Sequence, residues 1–194
     1  MGWNYRLDPL QAAFARAQLL RLPQLTEWRQ RNCNLLTERL RQVPGIEPPF
    51  VPPDRTHSYF FYVFRVKPQE MELDFPVAVV RDTLQKCLAA EGIPASRWQT
   101  VPVPGQTLFH FRDGYGKGCP WSCAFARKGI EYHAEEYPES QRLIEEFLAM
   151  GHSTGGLGYP NGPDLMEDFA AGFVKVLVEN RERFVELCEE RANP

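Results

Sequence analysis

The sequence predicts an α+β fold in which helices cover one side of a small, mostly antiparallel sheet. Three observations carry this prediction. Residues 8–43 form a long helical pattern, and residues 57–67 form a strand rich in aromatic and β-branched residues. The remaining segments alternate between helical patterns and short extended pieces, which is typical of helices packed on a small sheet.

Length, charge and cysteine content place the chain in a broad class. Its 194 residues are enough for one domain with a proper core. A net charge of −3 argues against nucleic acid as a main partner, because binding to phosphates needs a basic excess. There is no apolar run of membrane-spanning length and no signal-peptide pattern at the start. Five scattered cysteines fit reduced thiols better than a disulfide framework. We therefore expect a soluble cytoplasmic domain.

The first helix carries clear boundary signals. Asp8 is a good N-cap and Pro9 suits the first helical position, where a missing N–H costs nothing. Leu10 and Phe14 are expected to anchor its start. Pro23 interrupts the pattern, which predicts a kink or two consecutive helices, and Pro44-Gly45 ends it.

The strong strand follows a proline-rich connector at residues 46–56. Alternation predicts that one set of its side chains faces the terminal helix and the other set faces away. We assign Tyr59, Phe61 and Val63 to the first set, and Phe60, Tyr62 and Phe64 to the second. The partners of the first set in the terminal helix are expected to be Phe169, Phe173 and Leu177.

The later elements are read from periodicity and from glycine and proline. They are a helix at 75–91 ended by Gly92, a short edge strand at 100–104, a loop at 109–125, a helix at 138–148, a glycine-rich loop at 152–163 and a final helix at 164–191.

The segment before the first helix could bind an anion. Asn4 and Arg6 project from one side of an extended chain, and the helix N-terminus follows directly. Arginine offers a planar fork for phosphate oxygens, and a helix N-terminus favours negative charge. The other interpretation is a solvated Arg6 and a structural Asn4 before an ordinary capped helix. On these residues alone the second interpretation is preferred, since capped helices are common.

The continuation of the sequence changes that preference. Residues 2–66 contain the segments Gly2-x-Asn4-Tyr5-Arg6-Leu7, Gln11-Ala12-Ala13, Ala17-Gln18-Leu19-x-Arg21-Leu22, Arg29-x-Arg31-Asn32, Leu36-x-x-x-Leu40, Pro44-Gly45 and His57-Ser58-Tyr59-Phe60-Phe61-Tyr62-Val63-Phe64-Arg65. In this order they resemble the carboxy-terminal half of the DegT/StrS family, the pyridoxal phosphate (PLP)-dependent sugar aminotransferases of fold type I. A looser resemblance continues through Gly92-Ile93-Pro94 and Tyr137-Pro138.

The resemblance implies a function and a division of the chain. Residues 1–45 would be a helical segment linking to a large PLP domain absent from the chain, and residues 46–194 would be the small α+β domain. In the family, the segment corresponding to Asn4 and Arg6 reaches the PLP phosphate held by the other subunit of a homodimer. The reaction implied is transfer of an amino group from glutamate or glutamine to a keto-sugar or cyclitol.

The resemblance also implies that this chain lacks the catalytic lysine. In the family, that lysine lies in an S-x-x-K-like turn of the large domain. None of the five lysines of this chain has a serine three residues before it: Lys67, Lys86, Lys117, Lys128 and Lys175. We therefore assign no catalytic residue and expect the chain alone to be inactive.

Substrate contacts are predicted by position within the family. The region that precedes the penultimate helix lies near the substrate entrance, which makes Tyr115, Lys117 and Trp121 candidates. His57 opens the strong strand and could face the active-site cleft, although a hydrogen-bonded structural histidine fits as well.

A metal site is not predicted. Cys119 and Cys123 lie between His110 and His133, but these histidines do not form the close-set second pair that zinc sites usually show. Buried thiols, or a loop at a pocket mouth, explain the two cysteines better.

Two alternatives stay open at this point. One is a non-catalytic dimerisation or interaction domain from a truncated reading frame. The other is part of a PLP-dependent sugar dehydratase, because members of this family can replace the lysine with histidine. The sequence identifies neither the substrate nor the amino donor, and it does not settle whether Met1 is the true start.

Overall fold

The computed structural model describes residues 5–112, 114, 118–151 and 156–193. Its helices are α1 (Pro9–Leu40), α2 (Val77–Ala90), α3 (Thr107–Phe111), α4 (Pro138–Glu146), α5 (Pro163–Val174) and α6 (Arg181–Ala192), and its strands are β1 (Ile46–Glu47), β2 (Phe61–Val66) and β3 (Phe147–Gly151). The predicted α+β fold, with a long N-terminal helix and a small antiparallel sheet, is confirmed. None of the described helices is both long enough and apolar enough to cross a lipid bilayer.

The sheet contains its strands in the order β1-β2-β3, with both pairs antiparallel. Near the start of β2, Tyr62 lies opposite Met150 of β3. Ser96 extends the sheet beyond β3 by one bridge, because its N–H and C=O exchange hydrogen bonds of 3.0 and 2.8 Å with Ala149. Strand β2 is therefore paired on both sides, and the outer edge of β3 is paired only with Ser96 of a loop.

The N-terminal half of α1 lies in solvent. Asp8 caps the helix as predicted, since its carboxylate accepts a 2.8 Å hydrogen bond from the Leu10 N–H. Leu10 and Phe14 are 80% and 68% exposed, so the expectation that they anchor the start is wrong. The helix continues through Pro23 as one element rather than two. Water can bond the carbonyl that proline leaves without an intrahelical partner in this exposed stretch.

The C-terminal half of α1 packs into the core. Cys33, Leu36 and Leu40 are fully buried on one side of the helix. Burial raises the pKa of the Cys33 thiol to about 12, which makes it an inert packing group. Helix α1 therefore joins its exposed N-terminal half, called the arm below, to the core of the domain.

The buried face of β2 is the opposite of the predicted one. Tyr62, Phe64 and Val66 are fully buried, and the Phe64 ring meets the Phe173 ring edge-on at a centroid distance of 5.3 Å. The alternation is correct from Phe61 onward, but the prediction counted it from Tyr59. Tyr59 precedes the strand with φ of +49°, and this left-handed residue breaks the alternation.

Several boundaries also differ from the sequence prediction. A 3₁₀ turn at Val103–Gly105 replaces the expected edge strand, and α3 overlaps the start of the loop predicted at 109–125. Two strands were missed: β1 lies in the proline-rich connector, and β3 overlaps the end of the predicted helix at 138–148. The terminal helix is divided by a π-helical turn at Lys175–Glu179. These differences depend on pairing and packing partners that are distant in sequence.

An ion cluster ties β2 to the junction of α4 and β3. The Glu146 carboxylate accepts hydrogen bonds of 2.7 Å from Arg65 Nε and from Lys67 Nζ. Burial alone would raise the pKa of Glu146, but the bonds from Lys67 and Arg65 outweigh burial and leave that pKa below its ordinary value. The carboxylate is therefore held charged between two cations.

Candidate functional site

The segment before α1 presents Arg6 to solvent. Tyr5, Arg6 and Leu7 are all exposed, and Asp8 lies in the extended region with φ of −68° and ψ of 143°. The Asp8 carboxylate occupies the helix N-terminus through its bond to Leu10. Anion binding at this segment would therefore depend on the Arg6 side chain rather than on the helix end. Asn4, the second predicted phosphate contact, lies outside the described residues.

His57 is bound into the turn that leads to β2. Its Nδ1 accepts a 2.7 Å hydrogen bond from the Tyr59 N–H. The Tyr59 hydroxyl donates to Asn34 Oδ1 at 2.9 Å, and burial raises the pKa of the Tyr59 phenol. This hydrogen bond supports a structural role for His57, although the residue is exposed to solvent.

Trp121 belongs to a cluster of three aromatic rings after α3. Its ring meets Phe109 and Tyr132 edge-on at centroid distances of 5.7 and 5.8 Å, and Phe109 lies 5.1 Å from Tyr132. Such edge-on arrangements favour a fixed ring geometry. Tyr115 and Lys117, the other two candidates from this loop, lie outside the described residues.

The cysteine pair beside Trp121 forms no metal centre with the described residues. Cys119 is exposed, and a hydrogen bond with Cys123 raises the pKa of its thiol. His133 is engaged with Glu131 at 3.1 Å. Across the described residues, no group of three or more His, Cys, Asp or Glu side chains is placed to hold a metal ion.

A polar clamp, formed by Trp28, Asn32 and Asn161, fixes the direction of α1. Asn32 is fully buried, and its Nδ2 donates to the carbonyls of Leu157 and Asn161 at 3.0 and 2.9 Å. Trp28 Nε1 donates to the same Asn161 carbonyl at 2.6 Å. In the sequence, Asn32 stands out only within the segment Arg29-x-Arg31-Asn32, without a structural role. An amide at a core position was the available signal, since buried polar groups are hydrogen-bonded.

The described lysines are poorly suited to forming a Schiff base. Lys67 is paired with Glu146 at 2.7 Å and Lys175 with Glu91 at 2.6 Å. Lys86 and Lys128 are exposed at the surface. A Schiff-base lysine is usually desolvated, and none of these four is buried without a carboxylate partner.

Comparison with known proteins gives a family match and two curated relatives. The family model described as the DegT/DnrJ/EryC1/StrS aminotransferase family matches residues 1–142. Protein MosB of Rhizobium meliloti is 28% identical over 149 residues, which cover 75% of this chain and 28% of MosB. A Streptoalloteichus tenebrarius protein, provisionally assigned as an L-glutamine:3-amino-2,3-dideoxy-scyllo-inosose aminotransferase, is 29% identical over 127 residues, covering 60% of this chain and 29% of the relative.

The fold is shared with a solved enzyme. The crystal structure of 3-amino-5-hydroxybenzoic acid synthase superposes with a TM-score of 0.62 at 20% identity, over 92% of this chain and 41% of that one. This chain thus spans about three tenths of the length of the curated relatives it matches. All six predicted site residues lie inside the region that the family model covers. The chain belongs to the DegT/DnrJ/EryC1/StrS aminotransferase family.

Proposed function

We propose that this chain is the carboxy-terminal part of a PLP-dependent aminotransferase that transfers an amino group from glutamate or glutamine to a keto-sugar or cyclitol. The observation that carries the proposal is the family match, which begins at residue 1 and includes the exposed Arg6. The relative assigned as a glutamine-dependent scyllo-inosose aminotransferase supports a cyclitol and a glutamine donor.

Arg6 fits a role as a contact for the PLP phosphate. It lies two residues before an N-cap whose carboxylate already occupies the helix end, and the residue is exposed. A guanidinium can give two parallel hydrogen bonds to phosphate oxygens, and Asn4 would add an amide donor from the same segment. PLP supplies the electron sink for amino transfer. This chain would contribute phosphate contacts across a homodimer and no reacting group.

The exposed arm of α1 indicates that another domain covers it in the whole enzyme. Apolar side chains line this half of the helix without burial, including Leu10, Phe14, Leu19, Leu20 and Leu22, and Leu7 just before the helix is exposed as well. An apolar surface of this extent usually marks an interaction site. We assign it to the large PLP domain, with residues 1–45 as the link and residues 46–194 as the small domain. The polar clamp would set the angle at which the arm meets that domain.

The substrate side is proposed from the remaining predicted residues. His57, Tyr115, Lys117 and Trp121 would line the approach to PLP from the small domain. Of these, Trp121 has the aromatic packing that holds a ring in a fixed position.

The chain alone is expected to show no transaminase turnover and no Schiff-base absorbance band with added PLP. Lys67 and Lys175 are ion-paired, and Lys86 and Lys128 are exposed, so none of the described lysines is a buried amine without a carboxylate partner. The measurement is borohydride reduction with one equivalent of PLP, followed by peptide mass spectrometry. Scattered low-level labelling is the expected background. Labelling concentrated on one lysine, together with transaminase turnover, would contradict the prediction.

A fusion enzyme tests the proposed function. It joins the large domain of a family member of known activity to residues 2–194 of this chain at the Gly2–Leu7 segment. Amino transfer from ¹⁵N-labelled glutamine or glutamate to a keto-cyclitol or keto-sugar is the expected result, with the large domain alone as the control. Loss of water from the sugar without an amino donor would instead identify a dehydratase. A fusion that binds PLP and transforms neither substrate class would favour the non-catalytic alternative.

A further inference from the structure

A cationic pocket lies beside the aromatic cluster, in the loop region that follows α3. It has a volume of about 250 Å³ and is lined by Arg112, Arg127 and Lys128 together with Trp121 and Tyr132. The described residues that line it include no carboxylate. Three positive charges thus surround one small cavity.

These charges are not neutralised by the described part of the chain. No ion pair or hydrogen bond to a described residue engages the side chains of Arg112, Arg127 or Lys128. Glu131 is the nearest acidic residue in sequence to Lys128, and it bonds His133 at 3.1 Å instead. Three like charges around one cavity repel each other, so an anion that enters relieves the repulsion as well as accepting hydrogen bonds.

The backbone places Arg112 at the pocket at some cost. Arg112 ends α3 in the left-handed region with φ of +54°, which is unfavourable for a residue other than glycine. Left-handed residues with side chains are enriched at ligand-binding positions. The turn brings a guanidinium from α3 to a cavity whose other cations come from residues 127 and 128.

The aromatic wall is suited to a carbon skeleton. Trp121 and Tyr132 are both partly exposed, and Phe109 packs edge-on against the Trp121 ring and at a tilt against the Tyr132 ring. Sugar and cyclitol rings present C–H groups that pack on such surfaces. The cavity is slightly below the usual 300–1,000 Å³ of drug-sized ligand sites, which favours a small ligand.

We propose that this pocket binds a phosphate monoester of a small polyol, such as a phosphorylated sugar or cyclitol. The phosphate lies among Arg112, Arg127 and Lys128, and the carbon ring rests against Trp121 and Tyr132. A phosphate monoester carries a charge of about −1.5 to −2 at pH 7 and three terminal oxygens, which match three cations better than a single carboxylate does. Binding at this pocket requires neither PLP nor a catalytic lysine, so the binding can be tested separately from amino transfer.

Calorimetric titration of the 194-residue chain tests this proposal, with glucose 6-phosphate, inorganic phosphate, glucose and glutarate as ligands. We expect glucose 6-phosphate to bind more tightly than inorganic phosphate, and glucose and glutarate to bind at least about tenfold more weakly than glucose 6-phosphate. The double variant R127Q/K128Q is expected to lose at least about tenfold in affinity for glucose 6-phosphate, because it removes two charged hydrogen-bond donors. The matched control R16Q/R21Q removes the same net charge from the exposed arm of α1 and is expected to stay within twofold.

NMR mapping on the unmodified chain makes the test independent of variant folding. The indole N–H signal of Trp121, assigned with Trp121→Phe, should shift on addition of glucose 6-phosphate together with signals from Arg112 and residues 127–132. Shifts located elsewhere would overturn the proposal. If glutarate bound as tightly as glucose 6-phosphate, the pocket would be a carboxylate site instead. If R16Q/R21Q lost as much affinity as R127Q/K128Q, the loss would come from net charge and not from this pocket, and the proposal would be wrong.

Discussion

Replacing Phe64 by alanine is expected to lower the free energy of unfolding by about 3–5 kcal/mol. The ring is fully buried at the centre of β2 and packs edge-on against Phe173 of α5. Truncation removes its contacts with α5 and leaves a cavity that the paired strands on either side cannot close. Urea denaturation followed by circular dichroism measures the effect.

Phe60→Ala is the matched control for this prediction. Phe60 lies four residues earlier and is 55% exposed, so the same truncation is expected to cost less than about 1 kcal/mol. The comparison tests the face of the strand directly, since the sequence pattern had grouped Phe60 and Phe64 together. A loss at Phe60 equal to that at Phe64 would contradict the burial described above.

Asn32→Asp is expected to cost about 3–5 kcal/mol at neutral pH, because it places an unpaired charge in the core. The substitution replaces the Nδ2 donor with an oxygen that faces the Leu157 and Asn161 carbonyls. Burial and these carbonyls would raise the pKa of the new carboxyl above its value in the unfolded chain. The penalty should therefore grow as pH rises through that range and shrink in mild acid, where the protonated group can donate one bond.

Asn34→Asp serves as the control two residues away. Asn34 is exposed and uses Oδ1 to accept from the Tyr59 hydroxyl, a role that aspartate keeps. Its expected effect lies within about 0.5 kcal/mol. Denaturation curves at pH 7 and pH 5 compare the two variants. A pH-independent loss at Asn32 would mean that the lost amide packing, rather than the buried charge, sets the cost.

The features predicted correctly from the sequence depend on local chemistry. Asp8 and Pro9 set the start of α1 whatever the rest of the chain does, and Gly92 adopts the left-handed conformation that follows the end of α2. The two-residue period of β2 was also read correctly from Phe61 to Phe64, although the buried face was inverted. Each of these signals acts within a few residues.

The features that failed depend on distant partners. The parity of β2 was inverted because Tyr59, with its positive φ, is not part of the strand. Strand β3 contains Leu148 and Met150, which suit a helix equally well until β2 pairs with them. Leu10 and Phe14 look like core residues by composition, but nothing in the described chain covers them. Periodicity detects an apolar face without identifying what packs against it.

The candidate site was only partly accessible to sequence reasoning. The resemblance to the family selected Arg6, and the structure leaves it exposed ahead of a capped helix. The burial of Asn32 and the gathering of Arg112, Arg127 and Lys128 around one cavity were not foreseen. These groupings arise from tertiary structure, because residue 112 and residues 127–128 have no regular spacing that would link them.

PLP retention by the fusion enzyme tests the central claim most directly. Arg6→Ala is expected to raise the PLP concentration needed for half-saturation by about tenfold or more, since it removes a charged hydrogen bond to phosphate. The stability of the small domain should stay within about 0.5 kcal/mol, as for an exposed residue. Arg16→Ala, on the exposed arm of α1, is the control and should leave PLP binding unchanged. If the Arg6→Ala fusion keeps PLP through dialysis as well as the parent does, Arg6 is not a phosphate ligand and the proposed role of this segment is wrong.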